Sequence, residues 1–183
     1  MSYSIGIDFG TASWRVILVD TSNGRIISSY EEHYTHGTYS ESLYGKPLPH
    51  HYFLYNADDY LHILEHGVHH VLENSPVNKQ DVVGIGVDFT SCTIVFLDEY
   101  FQPLHRLEEL KANPQAYVKL WKYHGAQDEA TQMIQTNRQV NEMCLDYYGS
   151  SVNSEWMVPK ILEVKHQAPE ILKKASYIHV IVL

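Results

Sequence analysis

Cysteine, basic charge and long apolar runs are all scarce in this sequence, and each shortage narrows what the chain can be. Its two cysteines, Cys92 and Cys144, have neither metal-ligand nor redox spacing, which argues against a zinc or dithiol module. Lys and Arg number 13 against 22 Asp and Glu, giving a formal charge of −9. A chain so short of cations has no basic stripe for a phosphate backbone, so no nucleic-acid partner is expected. No apolar stretch approaches bilayer length, so no membrane partner is expected either. Met1 leads straight into an apolar strand without a basic, signal-like segment, and the expected location is cytoplasmic. There Cys92, beside a strand end, is expected to stay a reduced, buried thiol. The length of 183 residues suffices for one domain with a sizeable core, or one domain and part of another.

What is present begins at Ile5-Gly6-Ile7-Asp8-Phe9-Gly10-Thr11-Ala12-Ser13, followed by Arg15 and the run Val16-Ile17-Leu18-Val19. An apolar strand carries an aspartate to its end, turns on glycine and presents hydroxyls before a second strand. Gly10 lets the backbone approach an anion closely. Loop N–H groups with the Thr11 and Ser13 hydroxyls suit phosphate oxygens. Asp8 suits Mg²⁺ held through water. The same residues also suit an ordinary hairpin with a surface aspartate. A second passage, Gly84-Ile85-Gly86-Val87-Asp88-Phe89-Thr90-Ser91-Cys92-Thr93, repeats the plan and suggests two strand ends serving one crevice.

The pattern predicts strands over 3–8, 14–20 and 25–34, with a turn at Ser22-Asn23-Gly24. A polar loop over 35–51 is long enough for a lid. Helical spacing of Tyr60, Leu61, Leu64, Val68, Val71 and Leu72 predicts a helix over 58–73, stopped by Asn74-Ser75-Pro76. Strands follow over 82–89 and 93–97. Asn113-Pro114 reads as the start of a helix running well past Trp121. Another helix is expected over 156–165 despite Pro159, with a turn or two after Pro169 and a strand over 177–183. This order predicts an α/β fold with one mixed sheet and flanking helices rather than two separate halves. His62, His66 and His69 share one helical face, which reads as solvated more readily than as a metal site.

With both Asp-Phe turns in view, the chain resembles the amino-terminal part of the FGGY carbohydrate kinases. Besides the two turns, the resemblance is carried by Tyr34-Thr35-His36-Gly37, Tyr117-Val118-Lys119-Leu120-Trp121-Lys122 with His124, Ser154-Glu155-Trp156-Met157, and Pro159-Lys160. The first turn alone would also admit chaperone and actin ATPases; the Lys-Leu-Trp-Lys and Ser-Glu-Trp-Met segments narrow the choice sharply.

The resemblance implies an actin-like, ribonuclease-H-like fold, incomplete here. Residues 1–183 would form the amino-terminal part of the first kinase domain, with the second, adenosine-binding domain and the general base absent. It implies ATP and Mg²⁺ as cofactors and L-ribulose or a related pentulose as acceptor, with a homo-oligomer left open. Gly10, Thr11, Ala12, Ser13 and Arg15 would face phosphate, although Arg15 equally suits a surface salt bridge. Asp8 would sit near the metal; Thr90, Ser91, Glu155, Trp156 and Lys119 would border the sugar. Asp88 would bind substrate or metal, or merely cap its turn. Lys119 and Trp121 are expected on a helix, where Trp121 reads as core. The chain alone is expected to be inactive; the alternative is a non-catalytic, truncated binding remnant. Trp14 departs from the family, which usually has a small residue there, and so does the ending His179-Val180-Ile181-Val182-Leu183.

Overall fold

The computed structural model describes residues 1–140 and 143–181; the end of the expected last strand, Val182-Leu183, lies outside the described residues. In chain order the elements are β1 (Tyr3–Phe9), β2 (Ser13–Asp20), β3 (Ile26–His33), β4 (Ser42–Leu43), β5 (Lys46–Pro47) and β6 (Leu54–Tyr55). Then come α1 (Asp58–Glu73), β7 (Val82–Phe89), β8 (Thr93–Leu97), β9 (Val118–Lys119) and α2 (Gln127–Val140). The chain ends in α3 (Met157–Gln167), α4 (Pro169–Lys174) and β10 (Tyr177–Ile181). These elements form two compact units, one of residues 1–37 and 57–91, the other of residues 38–56 and 92–181.

The first unit is a four-stranded sheet in the order β3-β2-β1-β7, with β1 antiparallel to β2 and parallel to β7. Alternation along the strands separates its faces. Ile5, Ile7 and Phe9 of β1 and Trp14, Val16 and Leu18 of β2 are buried, whereas Ser4, Gly6, Asp8, Arg15, Ile17 and Val19 point the other way. Helix α1 covers the buried face with Ile63, Gly67 and Val71. The expected apolar stripe is therefore rotated, and Leu61 and Leu64 are exposed. The cause is Trp14. A Cβ on Gly67 would stand 2.6 Å from both the Trp14 ring and Val16, so the helix approaches its bulkiest neighbour through its smallest residue. The first turn, at Asp20–Gly24, is fixed by the Asp20 carboxylate, which accepts from the Ser22 amide (2.9 Å) and hydroxyl (2.7 Å). Gly24 supplies the positive φ, +74°.

The second unit has its own sheet, β10-β8-β9-β6, antiparallel throughout. The mixed sheet expected from the element order is that of the first unit, but it is one of two four-stranded sheets rather than a single large one. Cys92, at φ +57°, turns the chain after β7, and β8 pairs with β9 and β10 instead of extending the first sheet. Its core joins Ile94, Phe96, Leu104, Leu110 and Ala116 to Val164, Ala168 and Ile171. The helix expected from Asn113 is a single turn over 114–116, capped by the Asn113 side chain on the Gln115 amide (3.0 Å), after which β9 begins. Residues 115–120 are all buried, a pattern that a core strand accommodates and a one-faced helix does not. The following helix, α2, starts only at Gln127. The long loop after β3 is partly built. The β4–β5 hairpin turns through Tyr44 and Gly45, both at positive φ, and sets Leu43 against Tyr52, Leu54, Tyr117 and Tyr123. Pro159 is tolerated in α3 because it lies in the first turn, where no intrahelical N–H bond is lost.

Candidate functional site

The two Asp-Phe passages lie side by side. In the parallel register of β1 and β7, Asp8 is opposite Asp88 and Phe9 opposite Phe89. The two phenyl rings stack at 4.3 Å with an interplanar angle of 1°, and Tyr60 of α1 meets Phe9 edge-on at 5.4 Å. Such aromatic contacts contribute about 0.5–1.5 kcal/mol each beyond area burial. They lock the two strand ends together on the buried face. On the opposite face Asp8 and Asp88 line a groove of about 610 Å³ with Ser4, Gly6, Arg15, Ile17, Val19 and Gly86.

The turn beyond Asp8 has one residue it cannot exchange. A Cβ on Gly10 would lie 2.7 Å from the Ser13 carbonyl oxygen. The Tyr34 hydroxyl donates to the Gly10 carbonyl (2.7 Å), and the His33 ring pairs with the Ala12 carbonyl (3.0 Å). No local sequence signal marks Tyr34 or His33 as supports of this turn, since they act from the end of β3 and the residue just past it. Thr11 and Ser13 are half-buried beside exposed Ala12.

Arg15 sits opposite Asp8 across β1 and β2 and donates to it (3.1 Å), while its Nε faces Glu31 at 3.3 Å. Ser13 donates to the same Glu31 (2.8 Å), and that bond, with Arg15, holds the Glu31 carboxyl below its usual range. Of the two roles open to Arg15, the surface ion pair is the one formed.

The residues expected to border a sugar divide between the units. Thr90 is half-buried and Ser91 exposed at the end of the first. Glu155 and Trp156 precede α3 in the second. The Glu155 carboxylate, about a quarter exposed, lies 3.3 Å from His124 Nε2, and His124 Nδ1 pairs with Ser154 (3.1 Å). Trp156 packs against a cluster of Ala130, Leu145 and Val152, its ring 5.8 Å from that of Tyr148.

Lys119 is placed differently from expectation. It lies on β9, not on a helix, and is wholly buried. Its ammonium donates to Gln115 and Tyr123, faces Glu163 Oε2 at 3.6 Å and lies 4.2 Å above the Tyr123 ring. Burial pushes it down to about 8, against the pull of Glu163. Glu163 Oε1 in turn accepts from Tyr52 (2.9 Å), Tyr123 (2.6 Å) and Gln115 (3.2 Å). Trp121, expected in the core, is 38% exposed. Cys92 is a free thiol, half-buried rather than buried. Lys160, which reads in the sequence only as part of a motif, is also wholly buried, with Nζ 2.7 Å from the carbonyl oxygens of both Cys92 and Leu120.

Residues 3–182 match the amino-terminal domain of the FGGY family of carbohydrate kinases. The chain belongs to that family. This FGGY domain is 75% identical over 178 residues to a ribulokinase of Staphylococcus epidermidis, an alignment covering 97% of the chain and 33% of the relative. Among solved structures it is similar to xylulose kinase from Rhodospirillum rubrum, with a TM-score of 0.74 at 16% identity, covering 97% of this chain and 32% of that one. It is also similar to Plasmodium falciparum glycerol kinase with ADP, with a TM-score of 0.66 at 18% identity, covering 95% of this chain and 30% of that one. The fold is the actin-like one of the sugar kinases. The chain spans about a third of the length of the relatives it matches.

Proposed function

We propose that this FGGY domain is the amino-terminal portion of an ATP-dependent kinase that phosphorylates the terminal hydroxyl of L-ribulose or a related pentulose. The register that sets Asp8 beside Asp88, with the glycine-only turn following Asp8, carries the reading. Phosphoryl transfer depends on alignment and charge neutralisation more than on covalent help from protein. The tight turn at Gly10, where no Cβ fits, followed by the half-buried Thr11 and Ser13, is the element that would meet the phosphates of ATP. The Asp8 carboxylate, 43% exposed in its ion pair, has the hard oxygen donors that Mg²⁺ prefers and fits that ion through water. Bound Mg²⁺ would neutralise charge developing on the phosphates.

The acceptor class rests on the similarity to ribulokinase. Lys119 has no part in this reading, because its charge is sealed in the core and committed to Glu163. The general base and the adenosine-binding domain are assigned to sequence beyond these residues, in a cytoplasmic enzyme.

The test is a coupled assay of ADP release on the native-length protein with Mg-ATP and a panel of pentuloses. L-Ribulose or a close relative should support turnover, and Asp8→Asn should lower it about a hundredfold or more. Failure of every pentulose would sink the reading. The 183-residue chain alone should give no phosphorylated sugar.

A further inference from the structure

Lys160 is a buried cation whose partners are unlike those of its neighbour. Lys119 faces a carboxylate, whereas both hydrogen-bond acceptors of Lys160 are peptide carbonyls, each at 2.7 Å. Taking an ammonium out of water costs several kcal/mol, and two carbonyl dipoles offset less of that than an opposite charge does. Burial accordingly pushes Lys160 down to about 7. A methionine would fill the same space without that cost, so the ammonium must be judged by what it holds.

What it holds are two points where the backbone changes direction. Cys92, at φ +57°, directly follows Ser91 and starts the chain into β8. Leu120 directly follows β9 and precedes the exposed Trp121. The two carbonyls are 28 residues apart in sequence, and one ammonium from the first turns of α3 satisfies both. Lysine suits the task because its three donors rotate freely about one compact centre. The charged and titratable groups acting on it are Cys92, Lys119, Glu155 and Glu163.

We propose that Lys160 is a positioning residue: it ties the backbone leaving Ser91 to the backbone entering Trp121, and so sets the chain that directly follows Thr90 and Ser91. That Thr90 and Ser91 border the sugar rests on the kinase reading above; the fastening itself does not.

The experiment compares hydrogen exchange and steady-state kinetics of native-length wild type, Lys160→Met and Lys160→Gln. Exchange should quicken about tenfold or more in segments 90–96 and 118–124 of Lys160→Met, as befits loss of two charge-assisted bonds. Segment 26–33, in the other unit, should not change. The KM for pentulose should rise about tenfold while the KM for ATP stays within about twofold. Lys160→Gln, which keeps an amide donor, should fall between the two. Unchanged exchange, or a uniform rise along the whole chain, would overturn the fastening. Localised exchange with an unchanged pentulose KM would overturn the positioning. If Lys160→Met does not fold, Lys160→Gln against wild type decides on the same two readouts. A wild type without pentulose turnover removes the kinase reading, and exchange alone then decides the fastening.

Discussion

The two units use charge in opposite ways. In the first, Asp8, Arg15 and Glu31 form an exposed chain of ion pairs, their side chains about half open to water, and Ser13 joins it by a hydrogen bond to Glu31. In the second, Lys119 and Glu163 are both fully buried and share their bonds with Tyr52, Tyr123 and Gln115. Exposed pairs stabilise little and exchange partners readily, which suits the proposed phosphate and Mg²⁺ site. Buried pairs tolerate no exchange, because either partner alone is an uncompensated charge. The first unit keeps its charges available; the second commits them to architecture.

The largest effect should come from breaking the buried set. Glu163→Leu leaves Lys119 without its carboxylate and should cost about 3–5 kcal/mol, read by urea unfolding. Pairing it with Lys119→Met should recover much of that loss, since both charges then leave the core. A double variant no better than the single would show that the network stabilises through its tyrosine and amide bonds instead.

Next in size is the contact between Trp14 and Gly67. Gly67→Ala adds a methyl 2.6 Å from two side chains and should destabilise by about 1–3 kcal/mol, against its gain in helix propensity. Adding Trp14→Leu should relieve most of it, and additive losses in a double-mutant cycle would deny the coupling.

These residues also mark where the sequence was legible. Strand alternation in β1 and β2, the two Asp-Phe turns and the Asp20–Gly24 turn are local signals, and each lies where its pattern puts it. The stripe of α1 was misread because its buried face is centred on a glycine, whose fit exists only against Trp14. The segment around Lys119 was misread for a related reason. Asn113-Pro114 does open a helical turn, but the strand after it is decided by Glu163, 44 residues later, and by the pairing with β6. Lys160 carries no local signal, since its partners are backbone oxygens that any sequence could supply.

A smaller effect should appear in the pH dependence of stability. Lys119 and Lys160 are lowered to about 8 and about 7 in the folded chain, below the usual lysine value near 10.5. Between about pH 7 and about pH 10 the unfolded chain therefore binds more protons, so folding becomes more favourable as pH rises. Burial and Glu163 raise the Tyr52 and Tyr123 hydroxyls above their usual 10, so above about pH 10 only the unfolded tyrosines ionise and stability falls again. A urea-midpoint profile should rise and then turn over. In Lys160→Met the rise should start about one pH unit later, governed by Lys119 alone, and an unchanged onset would show that Lys160 is not the group titrating.

The smallest stability effect should fall on the open unit, and there smallness is itself the argument. Arg15→Met removes two ion pairs at once, yet both have half their surface in water. Its melting temperature should match wild type within experimental scatter. In the native-length kinase the same change should alter the KM for Mg-ATP while leaving the KM for pentulose untouched, because Arg15 is bonded to Asp8, the carboxylate proposed to hold the cation. The direction discriminates between two uses of the guanidinium. A raised KM means Arg15 meets phosphate; a lowered one means it competes for Asp8 and must be displaced. A large loss of stability with no change in either KM would place Arg15 with the committed charges of the second unit, and the contrast between the two would fail.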